Sequence, residues 1–204
     1  MRYPFFERLA EDLLEILRTL PFEVRAFRRW QDDLIFATGI EAELHYRPDR
    51  VPFSIELHVD WDFFREQLIA PRFFSDWKAE EKPAFRSGRL RPTLDFEFIW
   101  RFDREAFSDS SPYPEPETVR QRLDQLQRAL LRVQEGDTLL TRWHVDISSA
   151  PPARFVTAVL FLAYTCEDLS LLGGWTELEE ALRIRLAYLN RVSELFAATF
   201  KGAG

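Results

Sequence analysis

Three histidines, at 45, 58 and 144, are the side chains best suited to chemistry, and each falls in a stretch that alternates polar with apolar residues. In a strand, residues i and i+2 project from the same side. Glu56, His58 and Asp60 are therefore neighbours, and so are His144 and Asp146. If the two strands pair, His58, Asp60, His144 and Asp146 converge. Mixed imidazole and carboxylate ligands suit a divalent transition metal such as zinc, iron or manganese. A metal-dependent enzyme is the activity that such a cluster would serve. The same pattern also arises whenever a one-sided sheet shows water its polar face. The chain has no His-x-x-x-His pair, no cysteine ligand pair and no glycine-rich phosphate loop.

Nucleophiles are fewer. Ser148 and Ser149 follow His144 and Asp146 closely, but groups on one strand face point outward in parallel and form no relay. No Gly-x-Ser-x-Gly elbow is present. Cys166, the one cysteine, lies in the apolar run 155–166 and reads as an inert core thiol.

Arginine and aromatic rings carry the remaining possibilities. Lys occurs only at 78, 82 and 201, so arginine supplies 24 of the 27 basic residues. Arginine forks bind carboxylate and phosphate in pairs, although a GC-rich genome would enrich arginine everywhere. Lys82, Arg86, Arg89, Arg91, Arg101 and Arg104, with Phe85 and Trp100 among them, have the composition of a single-stranded nucleic-acid groove. Asp95, Glu97 and Asp103 dilute that patch. The irregular segment 62–92 holds Phe63, Phe64, Phe73, Phe74, Trp77 and Phe85. It either folds its rings onto the sheet or presents them to a partner. The expected contact set is Phe73, Phe74, Trp77, Arg86, Arg89 and Arg91, facing a protein partner or a second copy in a homodimer.

The elements that must position these residues follow from periodicity. Phe5, Leu9, Leu13, Ile16 and Leu20 predict an amphipathic helix over 4–20, opened by Pro4 and stopped by Pro21. Period-two alternation through 22–60 predicts an antiparallel meander, and a short helix follows at about 62–69. Leu94, Phe96, Phe98, Trp100 and Phe102 mark a strand. The serines and prolines of 103–116 make the best linker candidate. Val119, Leu123, Leu126, Leu130 and Val133 predict a second amphipathic helix over 117–134. A last strand is expected at 138–147, then a helix buried on nearly all sides over 152–171. Thr176 and Glu179 make a capping-box pattern for a final helix, 177–200.

This order is α+β: an antiparallel sheet of about five or six strands, amphipathic helices on one face and a C-terminal helical pair. The strand after the linker returns to the sheet, so 1–204 reads as a single domain, with a mainly β part in 1–105 and a mainly helical part in 115–204 as the possible subdivision. The order α-β-β-β-α-β is similar to that of small acidic secretion chaperones and their relatives, a likeness of element order alone.

Composition bounds the function. The chain has 204 residues, 46% of them hydrophobic and 30% charged, which excludes a disordered or fibrous protein. A net charge of −7 argues against nucleic acid as the default partner. A single cysteine allows no internal disulfide and suits a reducing compartment. The longest apolar run, 155–166, falls short of the ~20 residues that span a bilayer, and Glu7, Arg8, Glu11 and Asp12 interrupt any secretory signal. The expectation is a cytoplasmic, membrane-free, non-catalytic interaction factor: an adaptor, chaperone-like protein or accessory subunit with no cofactor. The alternatives are a metal-dependent enzyme on the His/Asp face, and a binder of a small ligand or of single-stranded nucleic acid.

Overall fold

The computed structural model describes residues 3–34, 37–48, 51–62, 93–107, 116–134, 140–148 and 155–201, with 140–148 and 155–158 described by backbone register. Helix α1 is Pro4–Thr19. Strands β1 (Phe22–Asp32), β2 (Ala37–Tyr46), β3 (Phe53–Asp62) and β4 (Thr93–Asp103) follow. Helix α2 is Pro116–Gln134, strands β5 and β6 are Leu140–Ser148 and Phe155–Asp168, and helix α3 is Trp175–Lys201. The six strands form one antiparallel sheet in the order β1-β2-β3-β4-β6-β5. This is an α+β fold. Strands from both sides of the 103–116 stretch pair in this one sheet.

One face of the sheet is the core. It carries Ile40, Ala42 and Leu44 from β2, Ile55, Leu57 and Val59 from β3, Phe96, Phe98 and Trp100 from β4, and Val159, Phe161 and Ala163 from β6, all buried. The helices bury their apolar stripes in the same core: Phe5, Leu9 and Leu13 of α1, Leu126 and Leu130 of α2, Leu182, Leu189 and Phe196 of α3. Phe102, Phe161 and Phe196 meet pairwise with ring centroids 5.2–5.6 Å apart. Phe5 stacks on Trp61 at 4.8 Å. Each such ring contributes roughly 1.5–3 kcal/mol by leaving water. The Trp100 Nε1–H donates to Ser193 Oγ at 2.9 Å, and Ser193 Oγ–H donates to the Leu189 carbonyl at 2.8 Å. This buried chain joins the middle of β4 to α3. Arg185 of α3 adds a shielded bond to Glu167 of β6, 2.9 Å from NH2 to Oε2.

One expectation is overturned. The run 152–171 is not a helix: residues 155–168 form β6, inserted between β4 and β5. The C-terminal helical pair is thus one strand and one 27-residue helix. An unbroken apolar run has no period to separate strand from helix. The β-branched Val156, Thr157, Val159 and Thr165, with Phe155, Phe161 and Tyr164, favoured the strand. Register then divides the run between two faces. Val159, Phe161, Ala163 and Thr165 are buried, while Leu160 and Leu162 are half-buried and Tyr164 and Cys166 are exposed on the other side. Cys166 is therefore not a core thiol.

The start of α3 is also capped differently from the Thr176/Glu179 pattern. The carboxylate of Glu177 accepts from the Gly173 N–H, and Glu179 pairs with Arg183 at 2.6 Å. Glu177 is the third helical position after the Gly-Gly break, where a carboxylate reaches back to orphan amides. The short helix expected at about 62–69 lies outside the described residues. Among the described residues no helix is long and apolar enough to cross a membrane.

The division of β6 between two faces makes a paired expectation. Phe161→Asp should abolish cooperative folding, because it forces a carboxylate into the core at several kcal/mol. Leu160→Asp, one residue away on the other face, should leave a folded protein at a loss of about 1–2 kcal/mol. Urea unfolding followed by tryptophan fluorescence reads both. Equal damage would contradict the register.

Candidate functional site

The sheet's second face is where the polar residues of β2, β3 and β4 point. Pairing defines its rows. Arg28, Glu41, His58, Glu97 and Tyr164 align across β1, β2, β3, β4 and β6, and Leu140 of β5 completes that row. The next row along β3 holds Ala26, Glu43, Glu56, Ile99, Leu162 and Arg142. Charge is distributed unevenly along these rows. The β1–β3 half is acidic and ionic: Glu56 accepts from Arg101 at 3.0 Å and lies 3.7 Å from His58 Nε2, and Arg28 lies 3.9 Å from Glu43. Between Glu97 and Arg101 of β4, the buried Ile99 joins the half-buried Leu160 and Leu162 and the 44% exposed Tyr164 of β6 in an apolar stripe. A small hollow of about 190 Å³ on the ionic half is lined by Arg28, Glu41, Glu43, Glu56 and His58.

The proposed convergence of histidines does not occur. His58 is on β3 and half-buried on this face, as the alternation predicts. Asp60 is two residues along on the same face. His144 and Asp146 are on β5, at the far edge. Two strands, β4 and β6, stand between β3 and β5, so the histidines are three strand spacings apart, about 14 Å. They are also offset along the strands, because the register of His144 runs through Leu160 and Arg101 to Ser54. Two imidazoles so placed cannot ligate one ion. The physical reason is β6, which sequence reading made a helix and which instead separates β5 from the rest of the sheet. Among the described residues no three His, Cys, Asp or Glu side chains group as metal ligands.

Phe73, Phe74, Trp77, Arg86, Arg89 and Arg91 lie outside the described residues. Of the basic set that suggested nucleic acid, Arg101 is bound to Glu56 on the open face and Trp100 is wholly buried on the other. Alternation in β4 separates them. The apolar stripe is not legible in the sequence because three of its four residues belong to β6. Its signal was the lack of any charged residue in 155–166, although a strand with one wet face normally carries charge on its outer side.

A second depression lies on the helical layer, between α2 and α3. Its volume is about 540 Å³, and Gln121, Gln125, Arg122, Arg128, Arg132 and Thr199 are among its lining residues. Beside α1, burial raises the pKa of Asp12 above its ordinary value of 3.8. Arg8, at 3.9 Å, acts against that rise, while Glu179, Glu15 and Glu11 add to it.

No protein-family model, curated protein or solved structure matches this chain.

Asp12 gives a signed pH dependence. A raised folded-state pKa means that the folded chain holds this proton more tightly than the unfolded chain. The stabilisation is fully present below 3.8 and is lost as pH rises through the raised value. In paired denaturation series, the stability of the parent relative to Asp12→Asn should fall over that window and then level off. A difference that grows with pH would contradict the assignment.

Proposed function

We propose that this chain is a non-catalytic protein-interaction factor, an adaptor, chaperone-like protein or accessory subunit, that receives a protein partner on the open face of its sheet. The observation that carries this reading is the apolar stripe of Ile99, Leu160, Leu162 and Tyr164 on the face opposite the helices. A sheet that shows one face to water needs polar residues there. The β1–β3 half of this face has them, whereas β6 and the Ile99 position of β4 set apolar side chains among them. An apolar centre flanked by charges is the usual anatomy of a protein contact. Glu41, Glu43, Glu56 and Arg101 would form the polar rim.

The rings of Phe73, Phe74 and Trp77, with Arg86, Arg89 and Arg91, belong to the same proposal. They lie in the segment that connects β3 to β4, and β4 carries Ile99. A stretch so rich in rings and arginine has the composition of an interface core. The partner is another polypeptide or a second copy of this chain.

A photo-reactive benzoylphenylalanine in place of Leu162, introduced in the native cell, should capture one polypeptide of fixed mass. The same group in place of Glu41, on the ionic half, should capture far less. Adding Phe74→Ala and Trp77→Ala should weaken the capture at 162 while leaving circular dichroism unchanged. Diffuse labelling of equal strength from both positions would overturn the proposal.

A further inference from the structure

The groove between α2 and α3 lies on the opposite layer from the open sheet face, and its chemistry is different. Its lining residues include Gln121, Arg122, Gln125, Arg128, Arg132 and Thr199. Three of these are arginines and none is acidic, in a chain with 34 acidic and 27 basic residues. We infer that this groove binds a small oxyanion carrying two or more phosphate or carboxylate groups.

Helical geometry arranges the donors. Positions 121, 125, 128 and 132 are four, three and four residues apart, so they fall in one row along α2. Arg128 and Arg132 are exposed, and the helix rise separates them by about 6 Å. Neither has a carboxylate partner among the described residues. Gln121 and Gln125 continue the row with amide donors. Arg122 is held from beneath: its NH1 donates to the Thr199 carbonyl at 3.2 Å, and its guanidinium sits 5.5 Å over the Phe200 ring. The Arg122 guanidinium is thus preset against α3, and Arg128 and Arg132, with no carboxylate partner among the described residues, can close on an anion with paired N–H bonds.

The space has a cause as well. Ala129 of α2 and Ala198 of α3 both line the groove and end at Cβ, so neither fills it. The resulting volume, about 540 Å³, lies within the range of small-ligand sites, roughly 300–1,000 Å³. It is much smaller than a nucleic-acid track and suits a compact polyanion. Three positive charges along one wall of the groove also repel each other, and an anion relieves that repulsion.

Isothermal titration of the full chain at about 50 mM salt, where screening is weak, tests this with two probes. Tripolyphosphate represents a phosphate ligand and citrate a carboxylate ligand; the tighter of the two identifies the source. At least one should bind saturably with one equivalent per chain. Arg128→Gln/Arg132→Gln should weaken it by about tenfold or more. Ala198→Phe, which keeps every charge but fills the groove, should weaken it as well. Arg25→Gln/Arg28→Gln, on the other layer, should change nothing. Circular dichroism confirms that each variant is folded, which the exposure of all these side chains favours. No binding of either probe, or equal weakening in the Arg25/Arg28 control, or full binding by the folded Ala198→Phe variant, would overturn the inference.

Discussion

Trp100 is wholly buried at the centre of the sheet, and its indole N–H must find an acceptor there. It finds Ser193 of α3, at 2.9 Å, and the Ser193 hydroxyl in turn donates to the Leu189 carbonyl. Leaving that N–H unmade would cost about 1–3 kcal/mol. The bond therefore sets where α3 lies along β4, and the rings complete the fit. Phe196 packs edge-on against Trp100 at 5.5 Å and touches Phe102 and Phe161, so one helical turn of α3 meets two neighbouring strands. Phe98 and Phe96 extend the same stripe along β4. The sheet's covered face is chosen by this contact, since a shift of one residue in β4 would exchange its rings for Asp95, Glu97 and Arg101.

Committing the rings to one face leaves the other to be defined by what remains. On β2 and β3 the remainder is charge, tied into the Glu56–Arg101 and Arg28–Glu43 pairs. On β6 the remainder is Leu160, Leu162 and Tyr164. The unequal halves of this face are what makes a protein contact the best functional reading. The helical layer meanwhile holds its own feature in the arginine-lined groove of α2 and α3. The two surfaces are on opposite layers, and they ask for different ligands.

Much of this was legible in the sequence. Strict alternation in β3 and β4 predicts their faces residue by residue, and His58 lies opposite Leu57 and Val59 as that pattern requires. Helices α1 and α2 match their apolar spacing within a residue or two at their ends. What failed was β6, because a run with no charged residue from 155 to 166 carries no clear period. The error spread from there. It hid the apolar stripe, placed Cys166 in a core, and let β3 and β5 be imagined as neighbours, so that His58 and His144 looked like one site. The α2–α3 groove was illegible for another reason. It depends on which faces of two helices come together, with lining residues more than 60 positions apart in the chain.

The open, strand-built face of β6 is the claim on which both the corrected register and the functional reading depend, and Cys166 reports on it directly. It is the sole cysteine and is exposed on that face. Titration of the native, purified chain with a disulfide reagent should modify one thiol per chain promptly, at a rate within about tenfold of that in denaturant. A thiol that reacts only after unfolding would contradict the account, since it would return residues 155–168 to a buried element.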